Sequence, residues 1–364
     1  MPKLNTPLKL SPIFKPKIWG RSDLYPLFDR PENDEPANPS AQNRALPDKD
    51  ELIGEAWITD DSSRFLSGPL AEMTLGEASN KFRSKLYGAN WKGGRFPILA
   101  KYLFTSDWLS VQVHPDDRYA RLHEHGSLGK CEMWYVLHAA PKAEFLLGLK
   151  PNTTREMLRA ACEKGASQDL FQRFHPKAGE VVFVPPGTPH ALGPGLVLFE
   201  AEQNSDITYR LDDYGRVGLD GKPRPLHLKK GLEVTNPELP PCRNLPRIVV
   251  REPFGHRRYL VASRYFAVEE LAIHKAAHFT PPAERAETLA IVAGEGRVET
   301  AAGWLGYQAG DAWLVPPGAD RYMLAPTEKT RVLKFYIPDL EGDFRRLRSR
   351  RGFKSADVKK ILFA

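Results

Sequence analysis

The chain has 364 residues, of which 41% are hydrophobic and 27% charged, and its net charge is +7. No apolar stretch approaches the roughly 20 residues that span a bilayer, and the three cysteines are too few for a disulfide framework or a thiolate metal site. We therefore expect a cytoplasmic protein of about two or three domains, with anionic partners that the charge alone does not identify.

The N-terminal segment, residues 1–95, mixes turns, short apolar runs and one helical stretch. We predict a helix over residues 74–87 and a long surface loop over the polar, Pro- and Asn-rich residues 33–50. This segment is expected to pack on the β domain that follows it.

Apolar, strand-like runs begin near Phe96 and define a first module over residues 96–217. They recur about every 8–15 residues with Pro and Gly between them, a spacing typical of an antiparallel sandwich or barrel. The runs are ILAKYLF (98–104), LSVQVH (109–114), MWYVLHA (133–139), EFLLGL (144–149), EVVFVP (180–185), LVLFEAE (196–202) and DITYRL (206–211). A helical insertion over residues 151–175 interrupts them, with a capped helix that begins near Thr154 and a second, short helix over residues 168–174.

A second β-rich module, residues 248–340, follows a Pro- and Lys-rich linker over residues 218–247 and precedes a basic tail, residues 341–364. Residues 179–190 (GEVVFVPPGTPH) align without a gap with residues 310–321 (GDAWLVPPGADR). Glu132 before MWYVLHA likewise corresponds to Glu287 before TLAIVAG. One β-barrel unit is therefore used twice. The predicted fold class is mainly β, with two antiparallel barrel modules and a small helical insertion.

Four polar residues stand among the apolar runs of the first module: Gln112, His114, Glu132 and His190. Gln112 and His114 are two positions apart on one strand and share a face. His190 follows a Pro-Pro-Gly-Thr-Pro turn that can aim its side chain into a barrel mouth. Two imidazoles, a carboxylate and an amide oxygen suit a divalent ion of borderline softness, with zinc as the leading candidate. We predict one such ion per chain, with cobalt, manganese and nickel as alternatives.

The second module differs at the corresponding positions. It has Arg321 where the first module has His190, and its counterpart of QVHP is HFTPP around His278. Arginine is permanently charged and is a poor ligand for a cation. We therefore predict a structural role for the second module and no metal site in it.

The order of these motifs resembles that of the cupin superfamily and, within it, the compact bacterial branch of the type I mannose-6-phosphate isomerases. The resemblance is carried by KPKIWG (15–20), IGEAW (53–57), PILAKYL (97–103), LSVQVHPDD (109–117), GKCEMWYVL (129–137), VPPGTPHAL (184–192) and NSDITYRLDDYGR (204–216). It implies a bicupin with a metal-dependent aldose–ketose isomerase activity that interconverts mannose 6-phosphate and fructose 6-phosphate through an enediol(ate). It also implies that the four residues above are zinc ligands.

Three further residues have roles that the resemblance implies. Arg210 corresponds to the family's active-site arginine, and Lys101 and Lys130 to its two active-site lysines. Lys130 shares a strand face with Glu132, and a pKa depressed by a nearby dication would make it a candidate base, whereas Lys101 is a predicted phosphate contact. Asp212 stands where an aromatic residue is expected, and its charge near Arg210 is expected to affect phosphate binding.

Two other functions use the same pattern. An iron-dependent cupin dioxygenase would need the same two histidines and carboxylate, and a non-catalytic sugar-phosphate-binding bicupin would have the same fold. Gln112 and the two lysines argue against the first, and intact Lys101, Lys130 and Arg210 argue against the second. Glu55, Glu200 and Glu202 are weaker candidates for side chains that orient the site.

The basic tail FRRLRSRRGFKSADVKK (344–360) has none of the aromatic interleaving of a nucleic-acid-binding segment. We therefore expect a small-molecule sugar phosphate as the partner, and neither nucleic acid nor a membrane. The oligomeric state does not follow from the sequence.

Overall fold

The computed structural model describes residues 2–28, 46–89, 91, 93–349 and 353–363. The loop predicted for residues 33–50 lies mostly outside these ranges. Within them, no helix combines the length and the apolar character that a membrane span requires. The chain is mainly β, as predicted, and its strands form two stacked sandwiches.

In the described part of the chain before residue 244 there are thirteen strands, and most coincide with the predicted apolar runs. They are β1 (Leu8–Leu10), β2 (Ile13–Arg21), β3 (Ile53–Trp57), β4 (Ile98–Phe104), β5 (Val111–Val113), β6 (Glu132–Ala139), β7 (Phe145–Leu149), β8 (Phe171–Phe174), β9 (Val181–Val184), β10 (His190–Leu192), β11 (Leu196–Gln203), β12 (Tyr209–Asp212) and β13 (Cys242–Arg243). The first sandwich has a seven-stranded sheet, β13-β9-β6-β11-β4-β3-β2, and a five-stranded sheet, β12-β5-β10-β7-β8.

The second sandwich contains the later strands. They are β14 (Ile248–Glu252), β15 (Gly255–Ser263), β16 (Ala267–Ile273), β17 (Ala277–Phe279), β18 (Glu287–Ala293), β19 (Gly296–Thr300), β20 (Gly303–Tyr307), β21 (Ala312–Val315), β22 (Tyr322–Pro326), β23 (Thr330–Tyr336) and β24 (Leu362–Phe363). Its larger sheet runs β1-β21-β18-β23-β16-β15-β14, with β24 on β15, and its smaller sheet runs β17-β22-β19-β20.

The described residues form seven α-helices at the edges of the sandwiches: α1 (Leu75–Phe82), α2 (Ser84–Tyr87), α3 (Asp117–His123), α4 (Arg155–Glu163), α5 (Leu228–Val234), α6 (Leu340–Ser349) and α7 (Ser355–Lys359). The helix predicted over residues 74–87 is present as α1 and α2, which are separated by Arg83 at φ 47°. Thr74 caps α1 because its hydroxyl accepts from the backbone N–H of Glu77 at 3.1 Å. Thr154 caps α4 in the same way.

Part of the helical insertion differs from the prediction. The short helix expected over residues 168–174 is wrong, because only Ser167–Leu170 forms a 3₁₀ turn and Phe171–Phe174 is the strand β8. This strand pairs with β7 at the edge of the five-stranded sheet. Pairing with a neighbouring strand therefore overrides the local helical pattern.

Three apolar layers stabilise the stack. Trp134 of β6 and Phe145 of β7 lie in the layer between the two sheets of the first sandwich, with ring centroids 5.7 Å apart. A layer containing Trp313 fills the second sandwich. The largest layer lies between the two large sheets. There Phe199 packs against Phe335, with ring centroids 5.7 Å apart. Burying each such side chain contributes roughly 1.5–3 kcal/mol.

The internal repeat has a counterpart in strand register. Glu132 pairs with Val184 and Glu287 pairs with Val315. The gapless alignment of the two Pro-Pro-Gly segments therefore reflects the same strand pairing in both sandwiches.

The segments outside the two predicted modules join both sandwiches. β1 pairs with β21 of the second sandwich, whereas β2 and β3 extend the large sheet of the first. The predicted linker contributes α5 and β13, and β13 pairs with β9. The N-terminal segment thus contacts the second sandwich as well as the first.

Candidate active site

The four predicted metal ligands lie together at one end of the first sandwich. Gln112 of β5 and His190 of β10 are paired in the five-stranded sheet, His114 follows β5, and Glu132 begins β6 in the opposite sheet. Glu132 Oε2 lies 3.5 Å from His114 Nε2, and Glu132 Oε1 lies 3.3 Å from His190 Nε2. Gln112 Nε2 is 3.2 Å from His190 Nε2. Both sheets therefore contribute to a single centre.

Backbone carbonyl groups orient both imidazoles. His114 Nδ1 is 2.9 Å from the carbonyl oxygen of Ile207, and His190 Nδ1 is 2.9 Å from that of Thr188. Because a carbonyl oxygen only accepts, each Nδ1 carries the proton and each Nε2 presents its lone pair towards Glu132. Metal-binding histidines in proteins are held in this way.

Three polar atoms at this centre are buried and have no hydrogen-bond partner: His114 Nε2 and both carboxylate oxygens of Glu132. His114 is 2% exposed, Glu132 1% and His190 0%. An unsatisfied buried polar atom costs about 1–3 kcal/mol, so proteins rarely contain several together. A divalent cation would accept lone pairs from all three atoms. The residues present therefore fit a metal ion, and their donor set is one that zinc accepts.

Burial controls the protonation of these side chains. It lowers the pKa of His190 to about 4 and, together with the charge of Lys130, lowers the pKa of His114 well below its usual range. Burial, with Glu200 close by, raises the pKa of Glu132. Both imidazoles are therefore neutral near pH 7, as metal binding requires, and ionised Glu132 is favoured by a cation beside it.

Two buried lysines and two further buried glutamates lie next to Glu132. Lys101 Nζ is 2.9 Å from Glu200 Oε2 and 3.2 Å from Glu202 Oε1. Lys130 Nζ is 2.8 Å from Glu202 Oε2 and 3.5 Å from Glu132 Oε2. Each of the two ammonium groups thus lies next to two carboxyl groups inside the protein.

Burial and the neighbouring carboxylates act in opposite directions on the two lysines. Burial is the largest single effect on the pKa of Lys130 and would lower it, but the carboxylates of Glu202, Glu132 and Glu200 together raise that pKa above its usual range. The pKa of Lys101 is raised by Glu200 and Glu202 against the same effect of burial. The sequence around Lys130 does not reveal the carboxylate of Glu202, which lies 2.8 Å from its ammonium. The role of Lys130 as a base beside a metal ion stays a prediction.

A cavity of about 250 Å³ opens beside this network. Its lining includes Gln112, Lys101, Lys130, Trp134 and Arg210, together with Lys17, Trp19 and Glu55 from the N-terminal segment and Arg224 from the segment after β12. The cations thus form two groups. Lys101 and Lys130 are buried and paired with carboxylates, whereas Lys17, Arg210 and Arg224 retain solvent exposure.

Arg210 lies on β12 opposite Gln112, and its Nη1 donates to the carbonyl oxygen of Pro225 at 2.8 Å. Asp212 has hydrogen-bond partners other than Arg210, and its effect on phosphate binding stays a prediction. Its carboxylate instead accepts from the hydroxyl of Ser167 at 2.5 Å and from the backbone N–H of Tyr214 at 2.9 Å. A bulge between Arg210 and Asp212 breaks the strand alternation that would place the two side chains on one face.

Some site residues were missed or only weakly indicated by the sequence. Glu200 and Glu202 alternate with apolar residues on β11, and this alternation predicts a shared face. Arg224 gave no signal, because it belongs to the predicted linker. It reaches the cavity because Arg224 Nε donates to Asp213 Oδ2 at 2.7 Å.

The corresponding end of the second sandwich has a different arrangement of charges. Glu287, the counterpart of Glu132, lies 2.8 Å from Lys334 Nζ. The same ammonium is 3.3 Å from Glu269, which also pairs with Arg257 at 2.7 Å. Arg321, the counterpart of His190, is exposed. The absence of a metal from this module stays a prediction, but its carboxylates are already paired with the protein's own cations.

Comparison with known proteins identifies the family. The family model for the catalytic domain of type I phosphomannose isomerase matches residues 8–157. Mannose-6-phosphate isomerase ManA of Bacillus subtilis is 33% identical over 329 residues, which cover 87% of this chain and 95% of that protein. The chain belongs to the type I phosphomannose isomerase family. The resemblance inferred from the motifs is thereby confirmed.

Two further relatives of the family extend the likeness. Mannose-6-phosphate isomerase of Streptococcus mutans is 32% identical over 314 residues, which cover 85% of this chain and 92% of that protein. The crystal structure of the mannose 6-phosphate isomerase from Bacillus subtilis superposes with a TM-score of 0.80 at 27% identity, covering 91% of this chain and 100% of the other. The likeness to phosphomannose isomerases therefore includes both sandwiches. Family membership also argues against the oxygen-activating alternative.

Proposed function

We propose that this protein is a zinc-dependent isomerase that interconverts mannose 6-phosphate and fructose 6-phosphate in the cytoplasm. The observation that carries the proposal is the unsatisfied centre of two histidines and a carboxylate beside a cation-lined cavity, in a chain of this family. Gln112, His114, Glu132 and His190 would hold the zinc ion. It would supply Lewis-acid polarisation of the sugar oxygens.

The exposed cations of the cavity suit the phosphate end of the substrate. Arg210 and Arg224 carry planar guanidinium groups, which bind phosphate oxygens in pairs, and Lys17 adds a third positive charge. Asp213 already pairs with Arg224 and Arg216. Arg210 Nε is buried without a hydrogen-bond partner, which leaves Arg210 a donor for an incoming anion. We assign the phosphate to this group rather than to Lys101, whose charge Glu200 and Glu202 compensate.

The buried lysines suit the reacting end of the substrate. Moving a proton between C1 and C2 of the open-chain sugar produces negative charge on the C1 and C2 oxygens in the enediol(ate). Neighbouring carboxylates raise the pKa of both Lys101 and Lys130, which favours their ammonium forms, and both lysines line the cavity near Gln112. Their ammonium groups are fixed before the reaction, so they stabilise the developing charge with little reorganisation.

A coupled assay of mannose 6-phosphate conversion to fructose 6-phosphate, before and after chelation, tests this function. We expect turnover that chelation abolishes and zinc restores. Replacing Arg210 by methionine (R210M) is expected to reduce kcat/KM by roughly 100-fold, within the range of a lost charge-stabilising contact. R118M, which removes an exposed arginine of α3, is the matched control. Absence of turnover in the metal-replete protein would contradict the proposal.

A further inference from the structure

Glu202 contacts two different lysines with its two carboxylate oxygens. Oε1 is 3.2 Å from Lys101 Nζ, and Oε2 is 2.8 Å from Lys130 Nζ. Glu202 is 0% exposed. Among the described residues, the cavity lining includes both lysines but not Glu202. The carboxylate therefore lies behind the two ammonium groups that face the cavity.

The backbone of Glu202 is held from both sides. Glu202 lies on β11, where it pairs with Leu99 of β4 and with Glu132 of β6. Lys101 belongs to β4, and Lys130 lies two residues before Glu132. The carboxylate thus projects from the strand that separates the two lysines, in the middle of a seven-stranded sheet.

We propose that Glu202 is a positioning residue of the isomerase, which holds the ammonium groups of Lys101 and Lys130 side by side at the cavity wall. This inference rests on the proposed function. Two like charges repel strongly in a buried environment, and one carboxylate between them offsets that repulsion. The pair can then act together on the negative charge that develops on the sugar oxygens.

No other described carboxylate contacts both lysines as Glu202 does. Glu200 pairs with Lys101, and its other oxygen accepts from the indole N–H of Trp134 at 2.9 Å. The other carboxylate within reach of Lys130 is Glu132, at 3.5 Å. Without Glu202, Lys130 would turn towards Glu132. Glu202 thus also keeps this ammonium away from a predicted metal ligand.

The second sandwich lacks this arrangement. Thr288 pairs with Phe335, so the register places Tyr336 opposite Glu287, where the first sandwich has Glu202 opposite Glu132. The hydroxyl of Tyr336 donates to Glu269 at 2.5 Å, and the described cluster contains a single lysine, Lys334. A carboxylate therefore occupies this strand position only in the first sandwich, where two buried lysines lie beside it.

The test compares E202Q with E287Q in the zinc-loaded enzyme. Each change removes a buried carboxylate that lies 2.8 Å from a lysine ammonium, so E287Q is matched for the loss of a buried ion pair. We expect E202Q to lower kcat at least tenfold. In E202Q, three other quantities should change less than threefold: KM, the zinc content and the affinity for sorbitol 6-phosphate. Sorbitol 6-phosphate is an open-chain analogue without a carbonyl. E287Q should lower thermal stability and leave kcat unchanged.

A double mutant separates action through Lys130 from a general structural effect. If Glu202 acts through the lysine, E202Q adds little to the loss caused by K130M. The inference would be overturned by any of three results: a wild-type kcat in E202Q, additive losses in the double mutant, or a loss of zinc in parallel with activity.

If E202Q does not fold, E202D keeps the charge, withdraws the carboxylate and is expected to show the same loss of kcat. If the wild-type enzyme itself shows no turnover, the proposed function is overturned together with the inference. If the wild-type enzyme turns over and E202Q matches it, only the inference on Glu202 is overturned.

Discussion

Glu132 and Glu287 occupy the same position in the two sandwiches but have opposite surroundings. Each is the first residue of its strand, and they pair with Val184 and Val315 respectively. The carboxylate oxygens of Glu132 are buried without a hydrogen-bond partner, whereas Glu287 accepts from Lys334 Nζ at 2.8 Å. The same fold position therefore suits a bound metal ion in the first sandwich. In the second sandwich, the ammonium group of Lys334 is the cation beside the carboxylate.

This relationship predicts different effects for the same substitution at the two positions. E132Q removes the only anionic candidate ligand, so we expect zinc affinity to fall by more than the roughly 10–100-fold that changes around a ligand cause. Activity should fall in parallel. E287Q should retain one zinc per chain, measured by elemental analysis of dialysed protein. Equal zinc content in E132Q and E287Q would contradict the assignment of the ligands.

Zinc is also expected to stabilise the folded protein. It would bind a centre that exists only in the native state, and at about 100 times its Kd such a ligand contributes about 2.7 kcal/mol. Adding zinc to chelator-treated protein should therefore raise the Tm by several degrees. H190A, which loses one imidazole, should show little or no shift. An equal shift in H190A would mean that zinc binds elsewhere.

The strands and the grouping of the four candidate ligands were predictable because both depend on local sequence patterns. The run ILAKYLF coincides with β4, Ile98–Phe104, since a continuous apolar run after Pro97 suits a strand buried on both faces. The Pro-Pro-Gly-Thr-Pro turn places His190 beside Gln112. The chemistry of these side chains then predicts the ion class, because few ions prefer two imidazoles and a carboxylate.

Features that depend on tertiary contacts were not predictable. Phe171–Phe174 has apolar residues three positions apart, which matches a helix, yet pairing with β7 makes it a strand. The bulge after Arg210 directs Asp212 towards Ser167, and no pattern in TYRLDDYGR indicates it. Arg224 lines the cavity and is held there by its hydrogen bond to Asp213. Both residues lie in loops, so the periodicity of the sequence does not predict this contact.

The pKa of His190 predicts how the stability of zinc-free protein depends on pH. The unfolded chain protonates His190 near pH 6.5, whereas burial lowers its folded pKa to about 4. Between these values the unfolded state binds more protons, so the free energy of unfolding falls as the pH falls, by up to about 1.4 kcal/mol per pH unit. H190Q lacks this titration and should show a shallower slope in urea unfolding between pH 4 and 6.5. Identical slopes would contradict the buried, neutral imidazole.

The final strand is predicted to couple the two sandwiches without affecting catalysis. β24 pairs in parallel with β15, and Phe363 stacks on Phe183 of the first sandwich with ring centroids 3.8 Å apart. F363A should lower the free energy of unfolding by about 1–3 kcal/mol, less than a fully buried Phe→Ala change because Phe363 is partly exposed. Turnover should not change, since Phe363 does not line the cavity.

The basic residues around that strand provide the control. Arg345 and Lys360 have side chains that are 78% and 66% exposed and make only surface ion pairs, which contribute little to stability. R345Q/K360Q should therefore keep the wild-type Tm and turnover. If this variant lost activity while F363A did not, the charge of the C-terminal segment, rather than its packing, would contribute to the reaction.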